Sequence, residues 1–330
     1  MGKAVLLVSA ITRDLLERPD GSVARPAGRY PFTPYPNRSW FKVAFSDEVR
    51  QGQCRAVDYF GRALVILRDV SGTARVLDGI CPEHGLTFSR LDDGTIQCVE
   101  DGAISGIDVN EGVSSCKQHA IKTWPTSERN GLIYCWYDRD HGEPTFEIPL
   151  IPEYGQPGWT GYNKLHWVVR THIQEVAENA VDLAHFAALH EYHHIPIPNI
   201  VETTERQLIV DVTSKRKILW LNRQTDLHLE YTGMGCVIAR VASPDVDLVA
   251  HLTPTPVDDE HINVNLSILF KKTANPLKNW AIRNFVFREI KREFERDIMV
   301  WERKVFHSRP VLCVDDGPIG KVRAWARTFY

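Results

Sequence analysis

The sequence predicts an α+β protein: a small antiparallel β domain followed by a larger domain built on a central antiparallel sheet. Three observations carry this. Short apolar runs divided by turn residues fill the region after Trp40, longer alternating runs fill the middle of the chain, and helical spacing marks the segments on either side of those longer runs. At 330 residues the chain is long enough for two cores.

The first part reads as strands over Trp40–Phe45, Cys54–Tyr59, Leu64–Arg68 and Ala74–Leu77, separated by Arg50-Gln51-Gly52, Phe60-Gly61-Arg62 and Ser71-Gly72, with Gly131–Tyr137 closing the domain. Residues 1–30 carry little pattern and read as an arm, 31–150 as the β domain, and 151–330 as the second domain. A stretch rich in Pro and Gly from Gly142 to Gly161 forms the passage between the two. The second domain opens with a β run over Trp167–Ile173 and a helix over Gln174–Leu189. Strands follow at Gln207–Ser214, His228–Tyr231, Gly235–Ala242, Val246–Thr253 and His261–Phe270. A tail helix runs from about Pro276 to Phe306, with Ile282, Phe285, Val286, Ile290 and Phe294 at helical spacing.

Composition narrows the function classes. The apolar share of 43% and charged share of 25% are those of an ordinary soluble protein, and a formal net charge of −3 advertises no nucleic-acid partner. The apolar run Ala4–Val8 is too short to span a bilayer, so no membrane span and a cytoplasmic location are expected. Seven cysteines, an odd number, argue against a disulfide framework, and buried thiols are the default for most of them. There is neither a GxGxxG nor a Walker-type loop, and so no evident dinucleotide or nucleoside-triphosphate site.

The informative segment is Glu178, Asn179, Asp182, His185 and His190, in the pattern Glu-Asn-x-x-Asp-x-x-His-x4-His. Two imidazoles with a carboxylate suit mononuclear Fe(II) and leave positions open for oxygen and substrate. His185 and His190 stand about 140° apart on an ideal helix, so they share a metal only if the helix distorts or ends, and Pro196 and Pro198 favour an ending. Asp182, one turn before His185, is placed to accept a ligand histidine's N–H.

Here the chain resembles the Rieske non-heme iron oxygenases, in the branch of the cholesterol 7-desaturases and 3-ketosteroid 9α-hydroxylases. Pro36–Ser46, Tyr59–Val65 and Trp124–Tyr137 resemble the Rieske domain, while Arg296–Lys304 and Asp316–Trp325 resemble the sterol-acting catalytic domain. The resemblance covers roughly residues 31–330. It implies a helix-grip type catalytic domain, a homotrimer and a separate redox partner. It also makes Asp297, by itself a plain helix-surface ion-pair residue, the carboxylate ligand beside His185 and His190. Asp182 and Asn179 become catalytic candidates, and the substrate is expected to be an apolar, polycyclic, sterol- or natural-product-like molecule. Phe186, Leu189 and Trp301 are candidate pocket residues, with core packing an equal reading. Tyr192, His193 and His194 are acid–base candidates against a plainer exposed role.

A Rieske centre needs two thiolates and two imidazoles. Cys81 and Cys98 match the thiolate positions, but Glu83 and Asp101 hold the imidazole positions, with His84 displaced by one residue. Carboxylates are poor substitutes there, so no ordinary [2Fe-2S] cluster is expected. Cys81, His84, Cys116 and His119 form a second two-Cys, two-His set that could hold zinc or a relocated cluster. Three functions follow: an Fe(II)-dependent oxidative enzyme, a non-redox isomerase or cyclase using iron as a Lewis acid, or a non-catalytic partner subunit of an intact oxygenase.

Overall fold

The computed structural model describes residues 30, 32–69, 71–80, 89–90, 96–100, 103–107, 115–116, 119–120, 122–189, 197–218, 221–244, 246–312 and 316–330. The expected β domain is present as β1 (Ser39–Phe45), β2 (Gln53–Tyr59), β3 (Arg62–Arg68), β4 (Ala74–Asp78), β5 (Ser89–Arg90), β6 (Ile96–Glu100), β7 (Ala103–Ile107), β8 (Ser115–Cys116), β9 (His119–Ala120), β10 (Thr123–Trp124), β11 (Thr126–Arg129) and β12 (Leu132–Tyr137). They pair into sheets ordered β1-β12-β11, β10-β4-β3-β2, β5-β6-β7 and β8-β9, antiparallel throughout.

The second half is built on one seven-stranded antiparallel sheet. Its strands are β13 (Asn163–Val169), β14 (Ile197–Thr203), β15 (Gln207–Ile218), β16 (Leu221–Thr232), β17 (Val237–Ala242), β18 (Asp247–Pro256) and β19 (Ile262–Phe270). The order is β13-β19-β18-β17-β16-β15-β14. The helices are α1 (Ile173–Asn179), α2 (Ala184–Leu189), α3 (Pro276–Ala281), α4 (Phe287–Trp301) and α5 (Ile319–Ala326), with a π turn at Ile282–Val286 joining α3 to α4. α1 packs on β18 and α5, α4 packs on β13, and α5 reaches β14.

Three sequence expectations need correction. The β run expected over Trp167–Ile173 is β13, which begins at Asn163 and stops at Val169, and Ile173 opens α1 behind the N-cap His172. The single helix expected over Gln174–Leu189 is two helices, because the turn after Asn179 is held by Val181 and Asp182 N–H donating to the Glu178 carbonyl. The segment around Pro198, expected as a helix terminator alone, also supplies the edge strand β14. A register shift between Pro198 and Ile200 accommodates the imino acid, as edge strands allow.

β18 explains how the halves join. Leu248, Ala250 and Leu252 belong to the apolar core that includes Val176 and Ala177 of α1. The alternating Thr255 and His251 reach the other way, where Thr255 Oγ1 donates to the Lys42 carbonyl at 2.8 Å and His251 Nε2 meets Tyr134 Oη at 2.9 Å. Cys236 Sγ lies 3.4 Å from the same nitrogen, and Asn263 Nδ2 donates to Tyr59 Oη at 3.0 Å. Burial lowers His251 to about 3 and Lys42 to about 8. Gly235 permits the close approach, since a Cβ there would overlap the Trp40 carbonyl and the Phe41 ring.

Candidate metal centre

His185 and Asp297 come from different helices and meet. His185 stands in the first turn of α2, Asp297 in the third turn of α4, and His185 Nε2 lies 3.9 Å from Asp297 Oδ1 with both side chains buried. The ring is oriented by its other nitrogen: Nδ1 bonds the backbone carbonyl of Asp182. Nδ1–H therefore donates, and Nε2 is the lone-pair atom turned toward the carboxylate.

The role expected of Asp182 is thus divided differently. At His185 the Asp182 backbone carbonyl takes the Nδ1–H, and the half-buried Asp182 side chain lies just ahead of α2. Burial raises the Asp182 carboxyl above its usual range, opposed by His185 and Lys304 and reinforced by Asp316. Asn179 ends α1 and is half-buried.

The ligand helices are braced by a buried charge cluster. Arg323 of α5 makes a two-pronged contact with Glu178, Nε to Oε1 at 2.9 Å and Nη2 to Oε2 at 3.0 Å. Gln174 Nε2 donates to Glu178 Oε1 at 2.8 Å, and Tyr30 Oη donates to Glu175 at 3.0 Å. Lys304 pairs with Glu175 and lies 3.5 Å from Glu178. Burial penalises the Lys304 ammonium, but Glu175, Glu178 and Asp182 outweigh it and hold the group above its usual range. Arg296, beside Asp297, donates to the Leu189 carbonyl at 2.8 Å and so ties α4 to the end of α2.

The Asp316-Gly317-Pro318 turn completes the support. Gly317 has φ +74°, and a Cβ there would overlap the Val181 carbonyl at the break between α1 and α2. Sequence reasoning quoted Glu178, Gly317 and Arg323 inside motifs without pairing them, and it missed Glu175. The available signal was charge inside apolar segments: Glu175 and Glu178 beside Val176 and Ala177, and Arg323 between Val322 and Trp325.

His190, Tyr192, His193, His194, Cys81, Glu83, His84 and Asp101 lie outside the described residues, and Phe186 stands in α2. Cys98 stands in β6, while Cys116 and His119 are register partners of β8 and β9. Cys54, Cys135 and Cys236 are buried free thiols, as expected of core cysteines. Leu189 is half-buried. Trp301 is buried edge-on to Phe294, whose face stacks on Trp167 at 5.1 Å, an aromatic wall along α4.

A divalent cation bonded at ~2.1 Å to an imidazole nitrogen and a carboxylate oxygen as neighbouring ligands would hold those two atoms about 3.0–3.4 Å apart. The 3.9 Å between His185 Nε2 and Asp297 Oδ1 exceeds that by about an ångström or less, a gap that a small side-chain rotation closes, and the nitrogen–oxygen donor pair suits iron. The described residues therefore fit the group.

Comparison with known proteins identifies the family. The Rieske [2Fe-2S] domain family matches residues 39–121, and the 3-ketosteroid 9α-hydroxylase C-terminal domain family matches residues 135–330. A cholesterol 7-desaturase of Ciona intestinalis is 29% identical over 334 aligned residues, covering 90% of this chain and 69% of that one. A probable 3-ketosteroid-9-alpha-monooxygenase oxygenase component of Rhodococcus rhodochrous is 25% identical, covering 89% and 79%. Dicamba monooxygenase bound to dicamba shares the fold, with TM-score 0.66 at 15% identity over 90% of this chain and 98% of that one. With a matching domain family over each half and the sheet and helices to go with them, the chain belongs to the Rieske oxygenases, oxidoreductases whose catalytic half here is of the 3-ketosteroid 9α-hydroxylase type.

Proposed function

We propose that this chain oxygenates, desaturates or oxidatively rearranges an apolar, polycyclic, sterol- or natural-product-like substrate at a mononuclear iron held by His185, His190 and Asp297. The observation that carries this reading is the buried approach of His185 Nε2 to Asp297 Oδ1 at 3.9 Å from two separate helices. The named activities of the Ciona and Rhodococcus relatives support the substrate class.

When bound, iron would supply activation of dioxygen next to the substrate. The chain's own residues do the rest. Asp182 holds His185 in the tautomer that presents Nε2, and the Glu178–Arg323 pair fixes α1 ahead of the break. Arg296 fixes α4 against α2, and Phe294 and Trp301 of α4 pack with Trp167 of β13.

The same reading takes 31–150 as the Rieske-like domain, 151–330 as the catalytic domain, and a cytoplasmic homotrimer as the working form. The match of residues 39–121 to the Rieske [2Fe-2S] domain family speaks for a cluster, and Glu83 and Asp101 at its imidazole positions speak against an ordinary one, without which electrons would come from the substrate or a separate redox partner. The test is metal analysis with electron paramagnetic resonance on the purified full chain. About one iron per chain and no reduced-Rieske signal are expected, with iron lost in Asp297→Asn. Three irons per chain with that signal would overturn the missing cluster. Iron retained fully in both Asp297→Asn and His185→Ala would overturn the site itself. Turnover of sterol-like substrates that stops without dioxygen is expected; turnover that continues anaerobically would instead favour the isomerase or cyclase reading.

A further inference from the structure

The helix pair that leads into Asp297 exposes an apolar face ringed by cations. Leu277 is 72%, Trp280 57% and Phe285 61% exposed, although Trp and Phe are the side chains most costly to leave in water. Trp280 and Phe285 are five residues apart, which on a regular helix would separate them by about 140°. The π turn at Ile282–Val286, whose hydrogen bonds join residues five apart, brings them back onto one face, with ring centroids 6.0 Å apart and edge-to-face.

The charge close to them in sequence is mostly positive, and Glu289, one turn beyond Phe285, is paired with Arg292. Residues 271–288 hold Lys271, Lys272, Lys278, Arg283 and Arg288 and no acidic residue, in a chain whose formal net charge is −3. Lys271 is paired with Asp247, while Lys278, Arg283 and Arg288 are all exposed.

We infer that this face docks the protein onto an anionic lipid bilayer, with Leu277, Trp280 and Phe285 seated at the headgroup level and Lys278, Arg283 and Arg288 against the phosphates. A short helix with Trp, Phe and Leu on one side and cations beside them is what lies in a membrane interface. A two-fold pairing of copies through this face would set the same cations against each other, which charge repulsion disfavours. No helix among the described residues is long and apolar enough to cross a membrane, and the face proposed here would lie on the bilayer surface. The docking stands on this face alone. Its benefit, bringing α4 and Asp297 close to a reservoir of apolar molecules, rests on the substrate class proposed above.

The experiment is vesicle flotation of the purified full chain at low and high salt. Phosphatidylserine-containing vesicles are expected to carry the protein, and pure phosphatidylcholine vesicles or high salt to carry much less. Each cation near such a surface contributes on the order of fivefold in partitioning, so Lys278→Glu with Arg283→Glu should cut binding by more than about tenfold. Trp280→Ser with Phe285→Ser should abolish it, while circular dichroism and iron content stay at the parent level. Absence of flotation in the parent chain, or flotation unchanged in either double variant, would overturn the inference. So would a parent that does not float but whose oligomer dissociates in the Trp280→Ser, Phe285→Ser variant, because a second copy would then be what covers the face.

Discussion

His172 shows at the scale of one residue how the site is held and what acid does to it. Its Nδ1 accepts the Gln174 N–H at 3.2 Å as the N-cap of α1, and its Nε2 meets the Thr33 carbonyl at 3.0 Å, where it must donate. Only the neutral Nε2–H tautomer satisfies both, and burial lowers the group from 6.5 to about 4. The folded-state value lies below the unfolded one, so this contribution is complete above about pH 6.5 and is lost as the pH falls toward 4. The slope is up to about 1.4 kcal/mol per pH unit. Urea midpoints at pH 7 and pH 5 should therefore diverge more for the parent chain than for His172→Gln; equal divergence would sink the assignment. His251, lowered by burial to about 3, adds a parallel loss that the variant keeps.

The Glu178–Arg323 clamp between α1 and α5 belongs to the scale of the element. Both side chains are buried, and removing one partner of such a pair leaves an uncompensated charge, at a cost of about 3–5 kcal/mol. Lys304 at 3.5 Å from Glu178 offsets part of this. Arg323→Ala should thus lower stability by about 3 kcal/mol and release iron more readily, whereas Glu178→Met with Arg323→Met should recover much of the stability. A single Arg323→Ala variant with a parental denaturation midpoint would count against the clamp. Elements were legible in the sequence where local pattern decides them: the alternation of β18 and the turn residues Gly52 and Gly61 placed strands to within a few residues. The break between α1 and α2 was not legible, because Gln174–Leu189 keeps helical spacing and the turn is supported from outside by Gly317, far along the chain. β14 was hidden by Pro198, which argues against a central strand but not an edge. The pairing of His185 with Asp297 was legible only through family resemblance, since nothing local joins α2 to α4.

Taken whole, the β domain and the seven-stranded sheet share a core that runs from Phe41, Leu64 and Val76 to Val264, Ile268 and Trp325. The polar layer of Tyr134, Cys236 and His251 lies within the same contact. The two halves should therefore unfold together, with near- and far-ultraviolet circular dichroism tracing one denaturant transition; two separated transitions would contradict the shared core. The clamp also has a consequence in time. Glu178 takes its cation from a residue synthesised 145 positions later. Until Arg323 has been translated Glu178 has no such partner, and the turn that presses on Val181 is likewise still to be made. The clamp on the helix ahead of His185 therefore waits for residue 323, and a chain truncated before that position should hold iron less firmly than the parent.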